Sequence, residues 1–197
     1  MSREFDMSDL GKLSYYLRLE VVQDRYHIKL KQSAYAKKVI DKTGMAECNV
    51  VKFSMEYKLP IYADKEWESF TTTHYKSIVG GLRYLVHTRP NIASAVGIVS
   101  RYMERPTVFN MNVVKRIRQY MKGTLQYRLI YLKERGNNIL SGFSDSDLAG
   151  SVDDRKCTAG MTFYLDDNPI TWVSQKQRCV ALSSCEAEFM AATAAAC

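Results

Sequence analysis

Asp145, Asp147, Glu186 and Glu188 are the side chains whose type and spacing suit chemistry on a polyanion. Asp145 closes a strand-like stretch in Gly142-Phe-Ser-Asp-Ser-Asp-Leu-Ala-Gly150, and Asp147 shares its face if the strand continues. Glu186 and Glu188 open an Ala-rich helix expected over 184–196. A carboxylate from a strand and one from a crossing helix can hold a hard cation such as Mg²⁺. Two such ions bridged by a shared carboxylate stabilise the attacking and leaving oxygens in phosphodiester cleavage. The same residues have structural roles open to them. Asp and Ser favour turns, Ser183-Ser-Cys-Glu186 has capping-box spacing, and a glutamate early in a helix is favoured by the dipole.

A second group is basic. Lys115, Arg118 and Lys122 recur at i, i+3 and i+7 with Arg116 beside them, and residues 105–133 contain no Asp or Glu. Such a stripe is either a solvated helix face or a phosphate contact. The balance of the chain points the same way. Residues 1–136 carry 24 Lys and Arg against 13 Asp and Glu, a net +11, whereas residues 137–197 carry 4 against 8, a net −4. A basic body suggests a polyanion partner, and an acidic tail suggests a cation. Cys48, Cys157, Cys179, Cys185 and Cys197 form no C-x-x-C pair and stand apart from the three histidines, which argues against zinc. No apolar run approaches the roughly 18–20 residues that span a bilayer, and the first residues lack the apolar core of a secretory signal. An intracellular chain with reduced thiols is expected, with no membrane partner.

The elements that must position these groups follow from periodicity. Tyr15, Leu17, Leu19 and Val21 alternate with polar or outward residues, and after Gln23-Asp24 the alternation resumes at Tyr26, Ile28 and Leu30, which predicts a hairpin. A short helix follows, with Ser33 as N-cap and Gly44 as its C-terminal glycine. Residues 46–73, with Pro60, lack periodicity and are expected to be a long connection. Tyr75, Ile78, Val79, Leu82, Leu85 and Val86 mark a helix that contains Gly80 and Gly81, and Ile92, Val96, Val99 and Met103 mark the next. A third, over about 111–122, puts Val113, Val114, Ile117, Tyr120 and Met121 on a core. Beyond the break at Gly136-Asn-Asn the pattern becomes strand, strand, strand, helix, with a turn at Asp166-Asp-Asn-Pro169. The fold class expected is mixed α/β, with a domain boundary near residue 136.

Several stretches in this order resemble the Pol polyprotein of copia-type LTR retrotransposons almost end to end. They are Phe5-Asp-Met-Ser-Asp-Leu-Gly11, Tyr75-Lys-Ser-Ile-Val-Gly-Gly-Leu-Arg-Tyr-Leu85, Thr88-Arg-Pro-Asn-Ile-Ala93, Lys122-Gly-Thr124, Gly142–Gly150, Asp153-Asp-Arg-Lys156 and Ala181-Leu-Ser-Ser-Cys-Glu-Ala-Glu-Phe189. The resemblance implies that residues 1–136 correspond to the palm-end hairpin, thumb and connection of a reverse transcriptase. It implies that residues 137–197 correspond to the beginning of an RNase H-like domain, with an incomplete sheet that leaves an edge and an apolar face open. By the same resemblance Asp145 matches the first RNase H carboxylate and Glu188 the helix glutamate, both Mg²⁺ ligands; Asp147 matches no catalytic position. The implied partners are RNA, DNA or an RNA–DNA hybrid and the rest of the polyprotein. The implied compartment is the cytoplasm, in a virus-like particle, or the nucleus.

The departures from the family pattern are specific. The Tyr-x-Asp-Asp turn that holds polymerase metals is absent, and Asp166-Asp167 is not its counterpart. The family's RNase H site takes further carboxylates after the helix, and none follows Glu188 here. Leu148 stands where Trp is usual, and Cys157-Thr-Ala-Gly160 where Ser-Thr-Ser-Gly is usual. The chain alone is therefore expected to be inactive as polymerase and hybrid nuclease, and to bind nucleic acid at most. A domesticated binding module and a decayed element are the alternatives.

Overall fold

The alternation from Tyr15 predicts one unbroken strand over 15–22; the computed structural model of the chain has two, β1 (Tyr15–Tyr16) and β2 (Leu19–Gln23), followed by β3 (His27–Lys31). The structure describes residues 11–56, 68–133 and 137–197. Phe5–Leu10, Pro60 and the boundary expected at Gly136 lie outside these. Between β1 and β2 the chain turns at Leu17 and Arg18, both left-handed with φ of 46° and 64°. Such a turn normally announces itself with Asn or Gly, and neither is present. The β2–β3 turn is tied by Asp24, which accepts the N–H groups of Tyr26 (2.9 Å) and His27 (2.7 Å) and the Lys29 ammonium (2.8 Å). Lys29 first, and then those two amides, hold the Asp24 carboxyl well below the usual carboxylate range. A strand that periodicity did not mark, β4 (Leu129–Leu132), completes a four-stranded antiparallel sheet in the order β1-β2-β3-β4, with Leu129 opposite Leu30.

The first helix, α1 (Ser33–Asp41), begins where expected but is capped differently. Ser33 Oγ donates to the Leu125 carbonyl at 2.9 Å, and Glu20 Oε1, from β2, accepts the Ala34 N–H at 2.9 Å. Gly44 takes the left-handed φ of 65° that ends the helix, as the sequence requires.

The next helix, α2 (Thr72–Val86), buries Tyr75, Ile78, Val79, Leu82 and Leu85. Its two glycines differ. A β-carbon on Gly81 would touch Val39 and the Tyr35 hydroxyl at 3.5 Å, the ordinary contact of α1 on α2, whereas one on Gly80 would meet nothing within 4 Å. Gly80→Ala is therefore expected to raise stability by about 0.5–1 kcal/mol through helix propensity alone. Urea unfolding checks this, and a loss of stability would show that the Gly80 site is not open.

Pro90–Ile92 forms a 3₁₀ turn that leads into α3 (Ala93–Val99), and Ser100–Tyr102 forms another. Then α4 (Val108–Gly123) starts three residues earlier than periodicity predicts, because Thr107 and Asn110 make a reciprocal cap: Thr107 Oγ1 accepts the Asn110 N–H at 3.2 Å and Asn110 Oδ1 accepts the Thr107 N–H at 2.9 Å. The four helices enclose the main core, with Tyr75, Leu82, Leu85, Ile92, Ile117 and Met121 fully buried.

After residue 136 comes an antiparallel meander of β5 (Leu140–Ser146), β6 (Thr158–Leu165) and β7 (Asn168–Lys176), followed by α5 (Ser184–Ala196). The β6–β7 turn falls at Asp166-Asp167 as expected, although β7 begins at Asn168, two residues before the predicted strand. The core here is small: Cys157, Ala181 and Ala187, with Met190 against them. Phe143, Leu182 and Phe189 are 62%, 90% and 74% exposed. The fold is thus mixed α/β, with two antiparallel sheets and five α-helices among the described residues.

Candidate functional site

The acidic group is organised by the end of β5. Asp145 lies opposite Gly160 and Ser146 opposite Ala159, along the edge that pairs with β6. Among the described residues no strand pairs with the other edge. The Asp147 N–H donates to the Thr158 carbonyl at 3.2 Å, so by the alternation of an antiparallel ladder the Ser146 N–H faces that free edge. Glu188 Oε1 accepts it there, at 3.3 Å, from the second turn of α5. The helix carboxylate therefore sits on the backbone of the residue that follows Asp145.

The two carboxylates reach this end of β5 from opposite sides of the sheet. Asp145 is exposed and lies in the wall of a cleft of about 530 Å³ between the sheet and α3, with Ala93, Ser94 and Ile98 opposite. The helix α5 covers the reverse face, where Met161 and Phe163 line a larger apolar cavity of about 970 Å³ together with Phe189 and Met190. Asp147 and Glu186 are structural. Asp147 Oδ1 accepts the Thr158 N–H, and Glu186 Oε2 accepts the Leu182 N–H at 2.7 Å while Ser183 Oγ accepts the Glu186 N–H at 3.2 Å. Asp145 and Glu188 are oxygen donors of the kind Mg²⁺ takes. No group of three or more His, Cys, Asp or Glu side chains able to hold a metal occurs among the described residues. Mg²⁺ on two carboxylates keeps most of its waters.

Periodicity did not mark what holds this sheet in place. Arg101 Nη2 donates to Thr158 Oγ1 at 2.9 Å, Tyr102 donates its hydroxyl hydrogen to Asp153 at 3.2 Å, and Trp172 Nε1 donates to the Val86 carbonyl at 2.9 Å. Burial lowers the Arg101 pKa, partly offset by Tyr102, Asp147 and Asp154. A β-carbon on Gly97 would lie 3.2 Å from the Ser174 carbonyl oxygen, so α3 and β7 approach as closely as a glycine allows. At the other end of that sheet, Lys176 pairs with Asp154 at 2.7 Å and pulls its carboxyl down to about 2.

The basic stripe on α4 is not the open face that its spacing predicts. Lys115 is exposed. Lys122 Nζ donates to the Cys48 carbonyl at 2.8 Å, and Arg116 pairs with Glu56 at 2.9 Å. Arg118 is 3% exposed, and its Nε and Nη1 have no hydrogen-bond partner. Burial pushes its guanidinium down to about 10, with a small opposing effect of Cys48. The charged form is thus disfavoured in the fold, and the penalty shrinks only as pH rises through about 10 towards the unfolded value. Replacing an uncompensated buried cation by an apolar side chain of similar length removes that penalty. Arg118→Met is expected to raise stability by about 1–2 kcal/mol at neutral pH. A denaturant titration in which the variant is less stable than the parent would refute it.

Comparison with known proteins places the chain. The family described as "Reverse transcriptase (RNA-dependent DNA polymerase)" matches residues 1–57. The chain is 36% identical over 202 residues to the retrovirus-related Pol polyprotein from transposon TNT 1-94 of Nicotiana tabacum, a match that covers 98% of the chain and 15% of that protein. It is 36% identical over 191 residues to the Pol polyprotein from transposon RE1 of Arabidopsis thaliana, covering 96% of the chain and 13% of the polyprotein. An uncharacterised mitochondrial protein of Arabidopsis thaliana is 34% identical over 197 residues, covering 97% of the chain and 79% of the relative. No solved structure matches. The motifs that run from Tyr75 to Phe189 and these matches agree, and the chain belongs to the Pol polyprotein family of copia-type LTR retrotransposons.

Proposed function

We propose that the chain works as the joint between the two activities of such a polyprotein, with residues 1–136 as the end of the reverse transcriptase and residues 137–197 as the first part of an RNase H-like domain. In this reading the palm-end hairpin is β1–β3, the thumb and connection are the helices α1–α4, and the nuclease portion is β5–β7 with α5. RNA, DNA or an RNA–DNA hybrid is the partner, together with the rest of the polyprotein. Mg²⁺ is the family's cofactor and would supply charge stabilisation at a phosphodiester. The single observation that carries the reading is the Glu188 carboxylate on the Ser146 N–H, which seats the helix glutamate on the strand residue next to Asp145. The chain by itself is expected to bind nucleic acid without extending a primer or cutting a hybrid.

The geometry is tested with Mn²⁺ as a paramagnetic stand-in for Mg²⁺. Amide resonances of residues 144–147 and 187–189 are expected to broaden first, and Asp145→Asn or Glu188→Gln should each abolish that broadening. Broadening confined to other acidic residues would overturn the assignment of this pair. A second reading is a domesticated, non-catalytic binding module; this chain covers 79% of the uncharacterised mitochondrial relative, so a stretch of similar extent also occurs apart from a full polyprotein. No helix among the described residues is long and apolar enough to cross a membrane.

A further inference from the structure

We infer that residues 46–56 form a displaceable cover over a phosphate-binding face of α4 made by Arg116, Arg118 and Lys122. The inference rests on the nucleic-acid reading above and adds where, and in which state, a polyanion is held. The segment has neither helix nor strand. Its polar ties to α4 run through two of these three cations. The Cys48 carbonyl takes Lys122, Glu56 takes Arg116, and Val50 packs on Gly123. Beneath it the donors outnumber the acceptors: Arg118 Nε and Nη1 and Arg116 Nε are buried without a partner.

A buried guanidinium with unmade hydrogen bonds is costly, and these three N–H groups belong to two arginines two residues apart on one helix. Nothing in residues 105–133 can neutralise them, for the stretch has no Asp or Glu. The segment's own Glu56 pairs with Arg116 alone. Phosphate oxygens are acceptors of the kind these donors lack, and charge-assisted bonds to them are strong. With the segment swung aside, Lys115, Arg118 and Lys122 stand in line over seven residues, about 10 Å of helix, with Arg116 beside them. The ligand class is the phosphodiester backbone of a duplex, which competes with one carboxylate and one peptide carbonyl for the same donors.

The packing supplies a lock. A β-carbon on Gly123 would lie 3.4 Å from the Val50 β-carbon, close to the separation of about 3.8 Å in natural disulfides. The whole chain with Cys48→Ser, Val50→Cys and Gly123→Cys is titrated with a short RNA–DNA hybrid, oxidised and reduced, at several salt concentrations. The oxidised form is expected to bind about tenfold more weakly or worse. Its log–log salt slope should be shallower by about 0.9 for each cation withdrawn. Lys115→Glu, at an exposed position, should weaken both forms alike. Equal binding oxidised and reduced overturns the cover and leaves the nucleic-acid reading standing; absence of binding by the reduced chain at low salt overturns both. A second comparison needs no cross-link. Glu56→Gln and Glu47→Gln remove the same charge from the same segment, but only Glu56 ties it to α4. Glu56→Gln is expected to tighten binding about threefold relative to Glu47→Gln, and equal effects overturn the inference.

Discussion

Tyr75→Ala is expected to cost about 4 kcal/mol, a large fraction of the stability of a domain of this kind. Tyr75 is fully buried among the four helices and is among the largest side chains there. Its ring fills the space between α2 and α3, and its hydroxyl donates to the Val99 carbonyl at 2.9 Å. Burial, with Tyr102 nearby, raises the phenol above its ordinary range, so the group stays a neutral donor. Tyr75→Phe keeps the volume and loses that hydrogen bond, for about 1 kcal/mol. Urea unfolding of both variants gives the two numbers. If alanine cost no more than phenylalanine, the ring would not be the keystone of this core.

Arg89→Ala is expected to cost about 3 kcal/mol. This arginine is buried at the mouth of the 3₁₀ turn before α3, and it reaches the far end of α4. Its Nη2 donates to the Thr124 carbonyl and its Nη1 to Thr124 Oγ1 at 3.4 Å, while the guanidinium lies over the Tyr127 ring. A cation at a helix C-terminus also meets the negative end of the dipole. Lysine offers one point charge where a planar fork is used, so Arg89→Lys should recover less than half of the loss. Full recovery by lysine would mean that charge alone, without the fork, holds the joint.

What the sequence makes legible here depends on whether the signal is local. The stripe Tyr75, Ile78, Val79, Leu82 and Leu85 needs only its own period to be seen, and it is the core face of α2. Gly44 and Asp166-Asp167 mark a helix end and a turn through backbone chemistry that the residues carry with them. The misses are non-local. Glu20 caps α1 from a neighbouring strand, so Ser33 looked like the cap and is not. The strand β4 is too short and too mixed to show a period, and exists because β3 offers it an edge. Arg118 sits on the polar side of its helix by spacing, yet a segment some seventy residues earlier lies over it. For the candidate site, Asp145 and Glu188 could be picked out as residues. The seating of Glu188 on the Ser146 amide depends on which face α5 covers, and no spacing contains that.

The hydrogen bond from Ser146 to Glu188 bears on aggregation as much as on chemistry. A strand with one unpaired side is a template for another chain, because every second N–H and C=O along it is free to continue the ladder. The free side of β5 runs past Phe143, an exposed ring. Glu188 occupies one rung of that side with a negative charge. An incoming strand must displace the carboxylate to use the Ser146 amide, and a second copy would bring its own acid against the first. The residue thus acts as a gatekeeper, a device that natural sheets use against edge-to-edge association.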